Sequence, residues 1–272
     1  MKVLISTDIE GVAGVVHHQQ VRAGNPEYER ARVLMAHEAN AAIAGAFEGG
    51  ASEVLVNDSH GDFRNMPAEL LDPRAQYVLG KPRYLGMMAG VDQGVDAVCM
   101  IGYHSRAQGR GILAHTTNSF AFSRICFNGD EVSEAAMYGA LAGEYGVPVV
   151  MASGDDAFIE EHQVMFPHAV FVQTKIATGQ TSGISLSPQA ARDAIQAGVA
   201  AALRVARRPA PHVVRTPLEV RIQTQTPALA DLFCQWPTLQ RLAGDQVGLQ
   251  AASVEAAVRM INCLSAMSSM LR

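Results

Sequence analysis

Runs of consecutive apolar residues recur along the chain, and each strong run stops on polar residues. KVLIST (2–7), SEVLVND (52–58), DAVCMIG (96–102), VPVVMASG (147–154) and AVFVQTKI (169–176) are such runs, with a shorter one, YVLG, at 77–80. Runs that are apolar throughout predict strands buried on both faces, the pattern of parallel sheets. Segments of helical composition lie between them: 27–48, 133–146 and 187–206. The last opens on Ser187-Pro188, an N-cap followed by a proline at the first helical position. Strands alternating with helices predict an α/β fold, a mostly parallel sheet with helices on both faces. The pattern changes near 207. Arg207 to Pro211 reads as a linker, and VRTPLEVRIQTQ (214–225) alternates as an exposed or half-buried strand does. The remainder mixes helix with a short strand near 246–251. The expected organisation is an α/β domain over 1–208 and a smaller α+β subdomain over 209–272.

Composition narrows the class. With 272 residues, 49% of them hydrophobic and 17% charged, the chain suits a folded protein with a sizeable core. A formal net charge of −5 makes no electrostatic case for nucleic acid or an anionic membrane. No apolar run reaches the roughly 18 residues of a membrane span, and the first meets Asp8 too soon for a signal peptide. The cysteines at 99, 126, 234 and 263 show no CxxC spacing, so reduced thiols and a cytoplasmic setting are expected.

The chemistry concentrates where the strong strands end. The first runs into Asp8 and Glu10, the second into Asp58 and His60, the third into His104. Ligands of open parallel sheets bind outside the carboxyl ends of the strands. Residues at i and i+2 of a strand end share a side, so Asp8 and Glu10 repel unless a cation or a proton sits between them. His60 and His104 would complete the shell of such a cation, and a carboxylate–imidazole set suits Zn²⁺, Mn²⁺ or Co²⁺. Further on, NGDEVSE (128–134) offers Asp130, Glu131 and Glu134. Ser133 or Asp130 can cap the next helix, and a carboxylate at Glu134 would favour that helix's N-terminus with no metal at all. His115 precedes two threonines able to orient it and would carry a proton or stabilise an oxyanion beside a metal. Bland readings compete for the others. His17, His18, His37, His162, His168 and His212 read as surface residues, and Asp155 and Asp156 as helix caps. Lys175 interrupts an apolar strand, and either pairs with a site carboxylate or snorkels.

STDIEG, VNDSHG, IGYH, LAHTT, NGDEVSE and VPVVMASGDD, in that order, resemble the M55 family of binuclear zinc D-aminopeptidases. The resemblance runs from residue 2 to about 208. It implies metal ligands at Asp8, Glu10, His60, His104 and Glu134, with Asp8 bridging two zinc ions, and a catalytic histidine at His115. It thereby raises Glu134 above Asp130 and Glu131. It also implies short D-amino-acid peptides such as D-Ala-D-Ala as substrates, and a self-compartmentalising homo-oligomer, a decamer. Two other readings remain. One is a binuclear hydrolase of another class, a phosphoesterase or amidase, for which Arg106 and Arg110 are the phosphate-holding candidates. The other is a non-catalytic metal- or peptide-binding protein linked to peptide transport.

Overall fold

The structure, a computed structural model, describes residues 1–205 and 208–272. The linker expected from Arg207 thus begins outside the described residues. The strands are β1 (Lys2–Thr7), β2 (Glu53–Asp58), β3 (Gln76–Val78), β4 (Ala97–Ile101), β5 (Phe122–Phe127), β6 (Asp130–Glu131) and β7 (Val149–Asp155). They continue with β8 (Val170–Gly179), β9 (Ser182–Ser185), β10 (Leu218–Thr224), β11 (Gln240–Ala243) and β12 (Gln246–Ala251). The α-helices are α1 (His18–Val21), α2 (Pro26–Glu48), α3 (Glu134–Glu144), α4 (Asp156–His162), α5 (Pro188–Leu203), α6 (Pro227–Phe233) and α7 (Val254–Met267).

Seven strands form the first sheet, in the order β3-β2-β1-β4-β7-β8-β9. All neighbours pair in parallel except β9, which runs antiparallel at the edge. The side chains of β1 show why its strand is apolar throughout. Val3 and Ile5 join one core with residues of α2 and α5, while Leu4 joins the other core, and all three are fully buried. Burying one such side chain is worth about 1.5–3 kcal/mol, so a polar residue mid-strand would be costly on either face. The second core lies between this sheet and an antiparallel sheet of order β11-β12-β10-β5-β6, with α3, α6 and α7 contributing.

The expected mostly parallel sheet with helices on both faces is therefore present, as is an added α+β unit. The second sheet takes β5 and β6 from 122–131, well ahead of residue 208. FSRICF shows no apolar run, because Ser123 and Arg124 face outward while Phe122, Ile125 and Phe127 are buried. The helix starts follow local rules. Ser187 and Ser133 cap α5 and α3 through their hydroxyls, and Pro188 occupies the first turn of α5. No helix among the described residues is long and apolar enough to cross a membrane.

Candidate metal centre

After β1 the chain builds β2 and β3 on one side, then returns to add β4 on the other. The strand order reverses between β1 and β4, and a crevice opens beyond such a point. The two strand ends pass in unusually close contact there. Asp8 N–H donates to the Ile101 carbonyl (2.8 Å) and Gly11 N–H to the Gly102 carbonyl (2.7 Å). A Cβ on Gly11 would collide with the Tyr103 carbonyl, and one on Gly102 with the Asp8 carbonyl. Gly102 also has φ +72°, the left-handed region that disfavours any side chain. The glycines of STDIEG and IGYH are what allow Asp8 and His104 to meet.

Asp8, Glu10, His60, His104, His115 and Glu134 converge here. His60 Nδ1 lies 3.3 Å from Asp8 Oδ1 and 3.1 Å from Glu10 Oε2. His104 Nε2 lies 3.4 Å from Asp8 Oδ2 and 3.7 Å from Glu134 Oε1. His115 Nε2 is 3.6 Å from Glu134 Oε1, and its ring stacks on His104 with centroids 4.3 Å apart. Ligand atoms of Asp8, Glu10 and His104 lie within 4.8 Å of one another, as do those of His104, His115 and Glu134. His104 thus belongs to both groups.

Each imidazole is held by its far nitrogen. His60 Nε2 reaches the Val21 carbonyl (2.7 Å), His104 Nδ1 the Ser105 carbonyl (2.9 Å) and His115 Nδ1 the Leu113 carbonyl (3.0 Å). A carbonyl only accepts, so these nitrogens carry the proton and the near nitrogens present lone pairs. In the neutral rings, the lone pairs of His60 and His104 then face carboxylate oxygens. Glu10 Oε2 and His104 Nε2 are buried with no partner of hydrogen-bonding geometry. Acceptor facing acceptor in a dry place is repulsive, and positive charge between them removes the repulsion. Backbone carbonyls on the outer nitrogens are also the usual way metal-binding histidines are oriented.

The electrostatics agree. Burial opposes charge on His60, but Glu10 and Asp8 outweigh it and raise the imidazole well above its usual range. Burial likewise opposes charge on His104, yet Glu134, Asp8 and Glu10 push it up to about 10. Despite its own burial, Glu10 is held well below the usual carboxylate range, chiefly by His60. Burial raises Glu134, against the pull of His104 and His115. The pocket draws positive charge, whether a proton or a cation, and its N/O donor set fits zinc.

Several expectations change. Asp8 and Glu10 do not share a side of a strand: β1 ends at Thr7 and residues 9–13 form turns, which swing both carboxylates onto His60. The threonines do not orient His115; that falls to Leu113, while Thr117 N–H donates to Glu134. Lys175 neither pairs with a carboxylate nor snorkels. It is 2% exposed, and its ammonium donates to the carbonyls of Glu10 (2.5 Å) and Val15 (2.7 Å), pinning the loop that carries Glu10. His162 is no surface residue. It is fully buried, bonded to the Phe158 carbonyl and to Ser133, the residue that caps the helix bearing Glu134. Arg106 and Arg110 are spent on Glu131 (3.1 Å) and Glu160 (3.0 Å) and do not line the cavity. Among the strand-end acids Asp155 does cap a helix, accepting from Phe158 N–H (2.8 Å). Sequence reasoning missed Arg83, which lines the cavity beside the cluster; no motif surrounds it.

A carboxylate–imidazole cluster at the switch point of an open α/β sheet, opening into a cavity, is a donor set suited to a metal-dependent enzyme. Comparison with known proteins specifies it further. The family model of the M55 peptidases, D-aminopeptidase, matches residues 1–263. A D-aminopeptidase of Bacillus subtilis (strain 168) is 35% identical over 188 residues, 69% of this chain and 68% of the relative. The solved structure of the Zn-dependent D-aminopeptidase DppA from Bacillus subtilis, a self-compartmentalizing protease, superposes with a TM-score of 0.95. That match spans 99% of this chain and 98% of the other at 28% identity. The chain belongs to the D-aminopeptidase family.

Proposed function

We propose that the protein is a zinc-dependent aminopeptidase that releases the N-terminal residue of short D-amino-acid peptides such as D-Ala-D-Ala. The observation that carries this reading is the pair of buried imidazole lone pairs aimed at carboxylate oxygens 3.1–3.4 Å away. Asp8, Glu10, His60, His104 and Glu134 would hold two divalent ions. Asp8 is the residue to be shared, since Oδ1 faces His60 and Oδ2 faces His104. When bound, the ions supply Lewis acidity: they polarise the scissile carbonyl and make water a stronger acid.

The protein's own groups do the rest. His115 is 21% exposed where Asp8, Glu10, His104 and Glu134 are almost fully buried, so it meets the cavity from the cluster's edge. Its Nδ1 is committed to Leu113, which leaves Nε2 to take a proton from water and pass it to the leaving amine. Phe63, Met87 and Tyr138 give the same cavity an apolar wall. In this reading the enzyme works in the cytoplasm as a homo-oligomer, a decamer, after the self-compartmentalizing relative.

The test is a peptide panel on purified enzyme with and without chelator. D-Ala-D-Ala should be cleaved, L-Ala-L-Ala less well and a phosphoester not at all. Chelation should abolish cleavage and added zinc restore it. Hydrolysis of the phosphoester alone, or peptide cleavage indifferent to chelation, sinks the reading.

A further inference from the structure

The cavity that adjoins the cluster measures about 590 Å³, ample for a peptide of two or three residues. Asp8, His60, His115 and Glu134 line it, and so do Lys81, Arg83 and Arg259. The three cations are not equivalent. Lys81 is half exposed and pairs with Asp62 (3.3 Å); Arg259 is exposed and pairs with Glu255 (3.1 Å). Arg83 is largely buried, and no carboxylate among the described residues lies within ion-pair distance of it.

Its hydrogen bonds are all to neutral oxygens. Nη1 donates to the Val78 carbonyl (3.1 Å), and Nη2 to Asn57 Oδ1 (2.7 Å) and the Asp58 carbonyl. A guanidinium has five N–H groups, so two remain, and Nε is buried with no partner. Carbonyls satisfy hydrogen bonds but do not neutralise a charge, and the one nearby carboxylate that attracts the guanidinium, Asp58, lies beyond ion-pair distance with its oxygens spent on Asn65 and Met66. Burial lowers Arg83 to about 10, which still leaves it cationic at neutral pH. Its position is enforced. The Phe63 ring lies 3.8 Å from its guanidinium carbon, and Phe63 has φ +59°, a conformation that a bulky residue keeps only when its surroundings impose it. The neighbouring loop is tied down by Phe63 N–H to the His60 carbonyl (2.8 Å) and by Gly80 N–H to the Phe63 carbonyl. The turn from His60 to Phe63 therefore places both His60 and, through the Phe63 ring, a guanidinium without a direct ion pair against one cavity.

We propose that Arg83 binds the C-terminal carboxylate of the substrate, so that the site selects short peptides with a free C-terminus. This rests on the aminopeptidase reading and adds a second recognition point to it. Nη2 is spent on the protein and Nε is shielded, so the carboxylate would be met by the remaining Nη1 N–H and by the charge, which arginine keeps in a shielded site more readily than lysine does. An extended dipeptide spans only about 7 Å, so both of its ends fit within one cavity.

The experiment compares D-Ala-D-Ala with its C-terminal amide, measuring kcat and KM for wild type and for Arg83→Gln. The wild type should lose tenfold or more in kcat/KM on the amide, mostly through KM. Arg83→Gln should bring that acid-to-amide ratio close to one, and Arg83→Lys should recover part of it. Equal wild-type efficiency on acid and amide overturns the proposal and leaves the peptidase reading intact; that comparison needs no variant to fold. A wild-type ratio retained by Arg83→Gln but lost by Lys81→Gln also overturns it. Cleavage of neither peptide brings down both readings.

Discussion

Asp58 and Asp8 end adjacent parallel strands, yet the protein treats them in opposite ways. Asp58 pairs in register with Thr7, one residue before Asp8. Its oxygens accept from the Asn65 and Met66 N–H groups (2.5 and 2.9 Å) and from the Asn65 side chain (2.6 Å). Both oxygens are met from within, and the carboxylate closes a loop. Asp8 receives one backbone bond, from Ile9 N–H (2.9 Å), and otherwise faces imidazoles. A buried carboxylate at a strand end is thus no functional signal by itself. What separates the two is whether the surroundings leave it in need of a cation.

Substitutions test that contrast. The largest effect is expected for Asp8→Asn. It should cut zinc content, read by atomic absorption, and lower kcat/KM by more than the about 10²–10⁴-fold that loss of a proton-transfer group costs. The fold should persist, because no loop depends on that carboxylate. Next comes His115→Ala, expected to lower kcat by about 10²–10⁴-fold with zinc content unchanged. Loss of a metal equivalent would instead make His115 a ligand, as its place beside His104 and Glu134 permits.

Asp58→Asn should invert the Asp8 result: zinc retained, but stability to urea reduced by about 4 kcal/mol as charge-assisted bonds are lost. Zinc lost at unchanged stability would erase the distinction between the two aspartates. The smallest effect belongs to Glu38, a third kind of acid. Burial raises it to about 7, although it accepts from Ala13 N–H (2.9 Å). The folded protein then holds a proton that the unfolded chain gives up at about 4.5. Folding stability from this group falls as pH rises from 4.5 towards 7, by at most about 3 kcal/mol. Glu38→Gln should gain on wild type in urea midpoint across that interval, and parallel pH profiles would contradict the assignment.

Legibility in the sequence followed the type of partner. β1, β2, β4 and β7 were readable because double burial writes itself as apolar runs. The rim was readable because three runs, β1, β2 and β4, stopped just short of Asp8, Glu10, His60 and His104; Glu134 needed the family resemblance to stand out from Asp130 and Glu131, and the six expected side chains do come together. β5 was hidden, since a half-exposed strand with Ser123 and Arg124 on its outer face makes no such run. Lys175 and Arg83 were illegible for another reason: their partners are main-chain carbonyls, joined for Arg83 by Asn57 Oδ1, and no sequence marks a carbonyl that every residue has. His162 was misjudged because α4 turns it inward against Phe158 and Phe166, a choice made by tertiary contact.

The contact between Gly11 and Gly102 has a consequence for how the centre is serviced. The strand ends are locked by main-chain bonds, and the rings by main-chain carbonyls, so the backbone holds the imidazoles in place and only the facing carboxylates need a cation. Such a centre should exchange its ion in place, like a socket and not like a knot tied around it. Cobalt should therefore enter the stripped protein without refolding it, and report the coordination by its colour.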